Sequence, residues 1–198
     1  MTSKEKSWTI LKFSDQYITM VKNTLEMAIK DGNPSVVISK DFISEKYFIN
    51  KTKYCDYSII ICLLFLFYHW IELVLKGFLL AKENIDIKKI THHNVEKLLE
   101  EFKNNFFKEK DIITFFEKYT KKDNMPIFLK KFFNKNNLSV GNYYDFFRYP
   151  LDKNFNFEYD YSSIKYTDEE GLAFFKNLLK DINNYKKYIV DLGCALKE

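Results

Sequence analysis

Residues 63–80 read LLFLFYHWIELVLKGFLL, and the fold turns on whether this run crosses a membrane or fills a core. Uninterrupted apolar residues extend only from Ile59 to Phe67, before Tyr68 and His69. A span needs about 20 predominantly apolar residues. A window of that length takes in His69, Glu72 and usually Lys76. A span accounts for the grease but leaves these three polar groups without a purpose. A buried helix of a water-soluble protein accounts for both, so we expect one continuous helix over about 53–82 and no membrane association.

Helical periodicity puts Cys62, Phe65, His69, Glu72 and Lys76 in one narrow sector of that helix. The other sides are apolar and can be covered by neighbours. The sector itself is expected to face a polar seam, a cleft or a second subunit. A carboxylate or ammonium taken out of water needs a partner. Glu72 and Lys76 stand four apart in the favourable acidic-before-basic order, and His69 lies one turn before Glu72. The expected seam is His69, Glu72, Lys76 and, from the next helix, His92.

The chain has 198 residues, enough for a single domain with a sizeable core. Twenty Phe and 14 Tyr against five Gly and three Pro favour long helices over a strand-rich fold. The formal charge of +4 is weak support for a nucleic-acid partner. Arg148 is the only arginine, so an arginine-rich phosphate surface is excluded. Cys55, Cys62 and Cys194 form no CxxC pair, which argues against a zinc knuckle or disulfide framework and for buried thiols in a reducing cytoplasm. The opening MTSKEKSWTILKF lacks the apolar stretch of a secretory signal, so a cytoplasmic location is expected.

Outward from the central helix, the pattern predicts an all-α bundle of about five helices with a long aromatic connector. Ile18, Val21, Leu25 and Ile29 mark a first helix, extensible to Trp8 and stopped by Gly32 and Pro34. VVISKDFISEKYF follows as a connector without clear periodicity. Thr91 is a candidate cap for the helix carrying Val95, Leu98, Leu99 and Phe102. IITFFEKY and PIFLKKFF read as two more helices. Residues 137–166 are aromatic but aperiodic, with an extended piece expected around NFEYDY. Thr167 and Glu170 have the spacing of a capping box for the last helix, whose stripe is Leu172, Phe175, Leu179 and Ile182 and whose end is set by Gly193. The whole chain, 1–198, reads as one domain.

Two further clusters could meet the seam: His92–Asn94 at the start of a helix, and FRYP at Phe147–Pro150. Arg148 offers a fork for a carboxylate or a phosphate. The plainer expectation is a structural bridge to Glu72 or an aspartate; the sharper one is an RNA phosphate contact. One of His92 and His93 is expected to cap or pack, the other to be exposed. Three scattered histidines make no metal pattern, so no metal or cofactor is expected. The basic stretch 118–135 interleaves lysines with aromatics. Lys121, Lys122, Lys130 and Lys131 are the candidate nucleic-acid contacts, while Phe128, Phe132 and Phe133 read more readily as core.

HWIELVLKGFLL, then HHNVEKLLEEF, then FFRYP, resemble the HEPN superfamily of small helical domains over about 54–150, and more loosely the final helix. The resemblance implies an antiparallel helical bundle with a core at 54–198, an N-terminal helical extension and homodimer formation. Many relatives are metal-independent ribonucleases with an R-x(4–6)-H motif, found in prokaryotic defence and toxin–antitoxin systems. Arg148 is followed by YPLDKNFNFEYD, without that histidine. The expectation is therefore a catalytically inactive or divergent module binding RNA or a defence partner such as an antitoxin. Alternatives are a metal-independent ribonuclease using His93 and Arg148, and a structural or regulatory dimer without RNA binding.

Overall fold

Ser7 donates a hydrogen bond from its hydroxyl to the carbonyl of Gly77 at 2.6 Å, and Asn33 pairs with Asp56. These two contacts tie opposite ends of the first and third helices together. In the computed structural model, which describes residues 2–82 and 85–196, α1 (Ser3–Asp31) therefore runs antiparallel to α3 (Asp56–Ala81). A short α2 (Glu45–Thr52) lies between them. The last helix, α8 (Asp168–Ala195), begins beside Asp56 and Asn33 and ends with Gly193 facing Leu11, so it runs parallel to α3. These three long helices frame the protein. α4 (Val95–Asn105), α5 (Lys110–Thr120), α6 (Ile127–Lys135) and the single turn α7 (Tyr143–Phe146) complete the bundle.

The all-α expectation holds, but the count does not. Among the described residues, seven helices of eight or more residues, plus the one-turn α7, replace the expected five or so. The additions arise where aromatic residues hide the period: α2 inside the first connector, α7 inside the second. The extended piece expected near NFEYDY reduces to one antiparallel bridge between Leu151 and Glu158.

Helix boundaries also moved for local reasons. α1 starts at Ser3 because Thr2 and Glu5 form a reciprocal capping box. Gly32 ends it in the left-handed region at φ 82°, where a side chain would be strained. α4 is capped by Asn94, whose side chain accepts from the Lys97 amide, and not by Thr91. Thr167 makes no capping box: its hydroxyl donates to Asp56 instead. Gly193 does not end α8. It lies inside the helix, where a Cβ would come within 3.4 Å of Leu11. Phe174, Leu178 and Phe175 carry the buried side of α8, and Leu172 and Leu179 are only partly covered.

The core is one aromatic-rich cluster centred on α3, where 15 of 26 residues are buried. Phe78 meets Phe102 and Phe106 of the α4 region, and Trp70 meets Phe115 of α5. Tyr68 contacts Phe133 of α6 and stacks on Tyr143 of α7. Phe128, Phe132 and Phe133 are buried, as their periodicity implies. Cys55 is buried, but Cys62 and Cys194 are exposed, against the expectation of three buried thiols. Together α2 and α3 form a run, Glu45–Ala81, long and apolar enough to cross a membrane, with 56% of its most apolar window buried by the rest of the chain.

Candidate functional site

Glu72 is 1% exposed and is the hub of the polar seam. Lys76, one turn further along α3, donates to Oε1 at 2.7 Å. His93, in the loop before α4, places Nδ1 3.0 Å from Oε1 and 3.2 Å from Oε2. Tyr143 of α7 donates its hydroxyl to Oε2 at 2.5 Å. Three segments far apart in sequence thus converge on one carboxylate. Burial alone would favour the neutral acid. Hydrogen bonds from Lys76 and Tyr143 and the charges of Lys76 and His93 outweigh it and hold Glu72 below the usual carboxylate range.

His69 completes the seam from the other side. Its Nδ1 is 3.2 Å from the Tyr143 oxygen and 4.0 Å from Glu72 Oε2. Because the Tyr143 proton is spent on Glu72, His69 is the donor to that oxygen. Its ring stacks parallel to Phe65 and meets Tyr17 of α1 edge-on. Burial lowers its pKa; Glu72 opposes this, while the charges of His93 and Lys76 add to it. His69 is a neutral donor locked between two helices, so its role is support.

His93 is differently placed. A carboxylate can only accept, so Nδ1 is the donor in this contact. The side chain is half exposed, and its ring stacks on Tyr144 at 4.2 Å and 15°. The Arg148 guanidinium lies 4.4 Å from the centre of the same tyrosine ring and 5.0 Å from that of Tyr149. His93 and Arg148 are therefore joined through Tyr144. Arg148 is exposed and forms no ion pair among the described residues. The expected bridge from Arg148 to Glu72 or an aspartate is absent because Lys76 and His93 already occupy Glu72.

His92 turns inward on its own loop: its Nδ1 accepts from the Asn94 amide at 3.1 Å. Burial first, then the charges of Lys76 and Lys97, lower its pKa, with Glu72 opposing. His92 is thus the capping histidine and His93 the exposed one. His92 contributes no side-chain bond to the Glu72 seam.

The four candidate lysines divide in two. Lys121 is paired with Glu100, and Lys131 with Glu170 at 2.8 Å. Lys122 and Lys130 form no ion pair among the described residues, and both are partly covered. With Lys118 on Asp181 and Lys135 on Asp160, four of the six lysines of the stretch 118–135 are held in ion pairs.

Sequence reasoning missed Tyr143 and Tyr144. Both sit in the aperiodic connector, among 14 tyrosines with no spacing signal of their own. The YY pair four residues before the only arginine was the available clue, since that offset places Tyr144 and Arg148 on one side of a helical turn. Among the described residues no group of three His, Cys, Asp or Glu side chains is arranged to hold a metal. No known protein family, curated protein or solved structure matches the chain, and its site stands on geometry alone.

Proposed function

We propose that the chain is a HEPN-like helical module that binds single-stranded RNA at the surface formed by His93, Tyr144 and Arg148. One observation carries this: the only arginine is exposed, unpaired with any carboxylate among the described residues and held over two tyrosine rings. A guanidinium oriented by stacking keeps its N–H fork for a phosphate. The flanking aromatic rings offer stacking for a base. The HEPN-like reading is supported by the meeting of Glu72 and Lys76 on α3 with His93 before α4, the two parts of the sequence that carry the resemblance. In this reading α3 is the core of a cytoplasmic bundle and its polar seam braces the binding surface from beneath.

The test is equilibrium binding of a labelled single-stranded RNA at two salt concentrations. Binding should weaken with added salt, and Arg148→Ala should weaken it about tenfold or more. Arg148→Lys should recover little, because lysine cannot stack as a planar fork. A folded Arg148→Ala protein that binds RNA unchanged would overturn the proposal.

A second reading, RNA cleavage without a metal, is favoured by the orientation of His93. In the neutral ring, with Nδ1–H on the carboxylate, Nε2 is the base for a ribose 2′-hydroxyl that attacks the adjacent phosphorus and displaces the 5′-oxygen, which takes up a proton, with Arg148 near the phosphate. In this reading His93→Ala removes cleavage in the presence of chelator while leaving RNA binding measurable.

A further inference from the structure

Ring contacts run without a break from Arg148 to the first helix. The Arg148 guanidinium lies over Tyr144, and Tyr144 meets Phe65 of α3 with 6.0 Å between ring centres. Phe65 meets His69 at 5.8 Å, His69 meets Tyr17 of α1 at 4.8 Å, and Tyr17 meets Phe13 at 5.4 Å. The rings between the two ends are partly exposed, and the far end is open, with Phe13 49% exposed. Phe13, Tyr17 and Met20 share one flank of α1, beside its buried stripe Ser14, Ile18 and Val21. α8 takes the opposite flank, where Lys186 pairs with Asp15 and reaches Thr19. Acidic groups keep off this line. By helical period Glu26 falls with Asp15 on the α8 flank, and Lys6 falls with Phe13. Glu5 is spent on the Thr2 cap, and Asp31 stands at the far end of α1, about five turns past Phe13. Both carboxylates of α3, Asp56 and Glu72, are buried. Asp145, next to Tyr144 in sequence, directs its charge at Tyr159, whose pKa is raised first by burial and then by Asp145.

We propose that an unpaired RNA strand of several nucleotides follows this line, its bases stacked on the rings between Arg148 and Phe13. The inference rests on the reading of Arg148 as an RNA contact. It extends that site onto α1, which lies outside the stretch that resembles HEPN domains. Packing against the core accounts for Tyr17, Phe65 and Tyr144, but Phe13 stands outside the core cluster with half its surface in water. Unpaired bases offer their faces to such rings, whereas a duplex keeps them in its own stack. One guanidinium at one end and rings along the rest make stacking, not charge, the source of affinity for each added nucleotide.

The experiment is equilibrium binding of labelled oligouridines of about three and about ten nucleotides to the intact chain over a range of salt. The longer strand should bind the wild type about tenfold or more tightly than the shorter. Phe13→Ala should weaken the longer strand about tenfold and leave the shorter one unchanged, while Phe13→Trp keeps the gain. Since Phe13 is half exposed, neither change should alter the far-ultraviolet circular dichroism. Salt separates the two ends of the line. Arg148→Ala should reduce the salt slope by about 0.7 for either strand, and Phe13→Ala should not move it. A strand carrying 4-thiouridine, irradiated on the protein, should cross-link to the part of α1 holding Phe13 and Tyr17 as well as to residues 144–149. Binding that needs Arg148 but is indifferent to Phe13, cross-links confined to residues 144–149, or a duplex that binds as tightly as the longer strand would each overturn the extension and leave the Arg148 surface standing. Failure of both strands to bind would remove that surface and the extension with it.

Discussion

Tyr143 and Glu72, 71 positions apart, share a hydrogen bond of 2.5 Å that spans the interior from α7 to α3. The tyrosine hydroxyl also takes the bond from His69, so it joins that histidine to the carboxylate that His93 reaches directly. Tyr143→Phe removes both bonds while preserving the ring. It should cost about 1–3 kcal/mol, because a buried carboxylate oxygen and His69 Nδ1 each lose a partner. Chemical denaturation checks this, with the slope of the transition expected to stay constant.

Glu72 is the more damaging position. Glu72→Ala leaves the Lys76 ammonium, itself only 15% exposed, without its counter-charge. Removing one partner of a buried pair costs about 3–5 kcal/mol. Pairing it with Lys76→Met should recover much of that loss, since the stranded charge is then gone as well. A thermal melt of the single and double variants separates the two effects.

The seam also sets the acid response. Glu72 titrates below its unfolded value of 4.5, and His69 and His92 below 6.5. In each case the unfolded chain takes up the proton first. Stability is therefore complete above the unfolded pKa and is lost as pH falls through the folded one. Loss should begin below about pH 6.5 with the histidines and steepen below about pH 4.5 with Glu72. At the other extreme burial raises Tyr68, Tyr119 and Tyr143, the last two helped by their carboxylate partners Asp181 and Glu72. Their contribution is present below pH 10 and is lost as pH rises beyond it. Denaturation midpoints measured across pH should trace a plateau between these limits. His69→Phe should flatten the decline near pH 6.

Gly171 gives a prediction opposite in sign to helix propensity. Alanine normally stabilises a helix interior over glycine by about 1 kcal/mol. Here a Cβ would stand 2.5 Å from Thr167 Oγ1, 2.7 Å from Asn33 Nδ2 and 2.8 Å from Asp56 Oδ2. Gly171→Ala should therefore lower the melting temperature by several degrees.

The lysine pair offers a control for the RNA surface. Since Lys121 is held by Glu100, Lys121→Glu with Lys122→Glu should lower RNA affinity much less than Arg148→Ala, measured in the same binding assay. The opposite ranking would move the binding surface to the basic stretch.

What the sequence revealed follows from where period and chemistry coincide. α3 and α8 were legible because apolar residues recur along them over many turns. Glu72 and Lys76 were legible because two charges in a greasy run demand partners. Their other partners were not, since Tyr143 and His93 arrive through loops whose geometry no periodicity encodes. Arg148 was singled out by rarity, yet its environment was misjudged: the tyrosines around it outcompeted the carboxylates. Thr167 shows the same limit. Its spacing to Glu170 fits a cap, but the buried oxygen of Asp56 is the stronger acceptor.

Asp56 closes the molecule in a way that bears on its synthesis. Its carboxylate accepts from the Asn33 side chain, the backbone amides of Tyr166 and Thr167, and the Thr167 hydroxyl. It sits at the first turn of the greasiest helix, and two of its three partner residues are made more than a hundred residues later. Until they emerge from the ribosome, α3 is without its final neighbour α8 and Asp56 without its final ligands. The nascent protein must hold an oily helix incomplete through most of translation, and truncations that remove α8 should therefore aggregate.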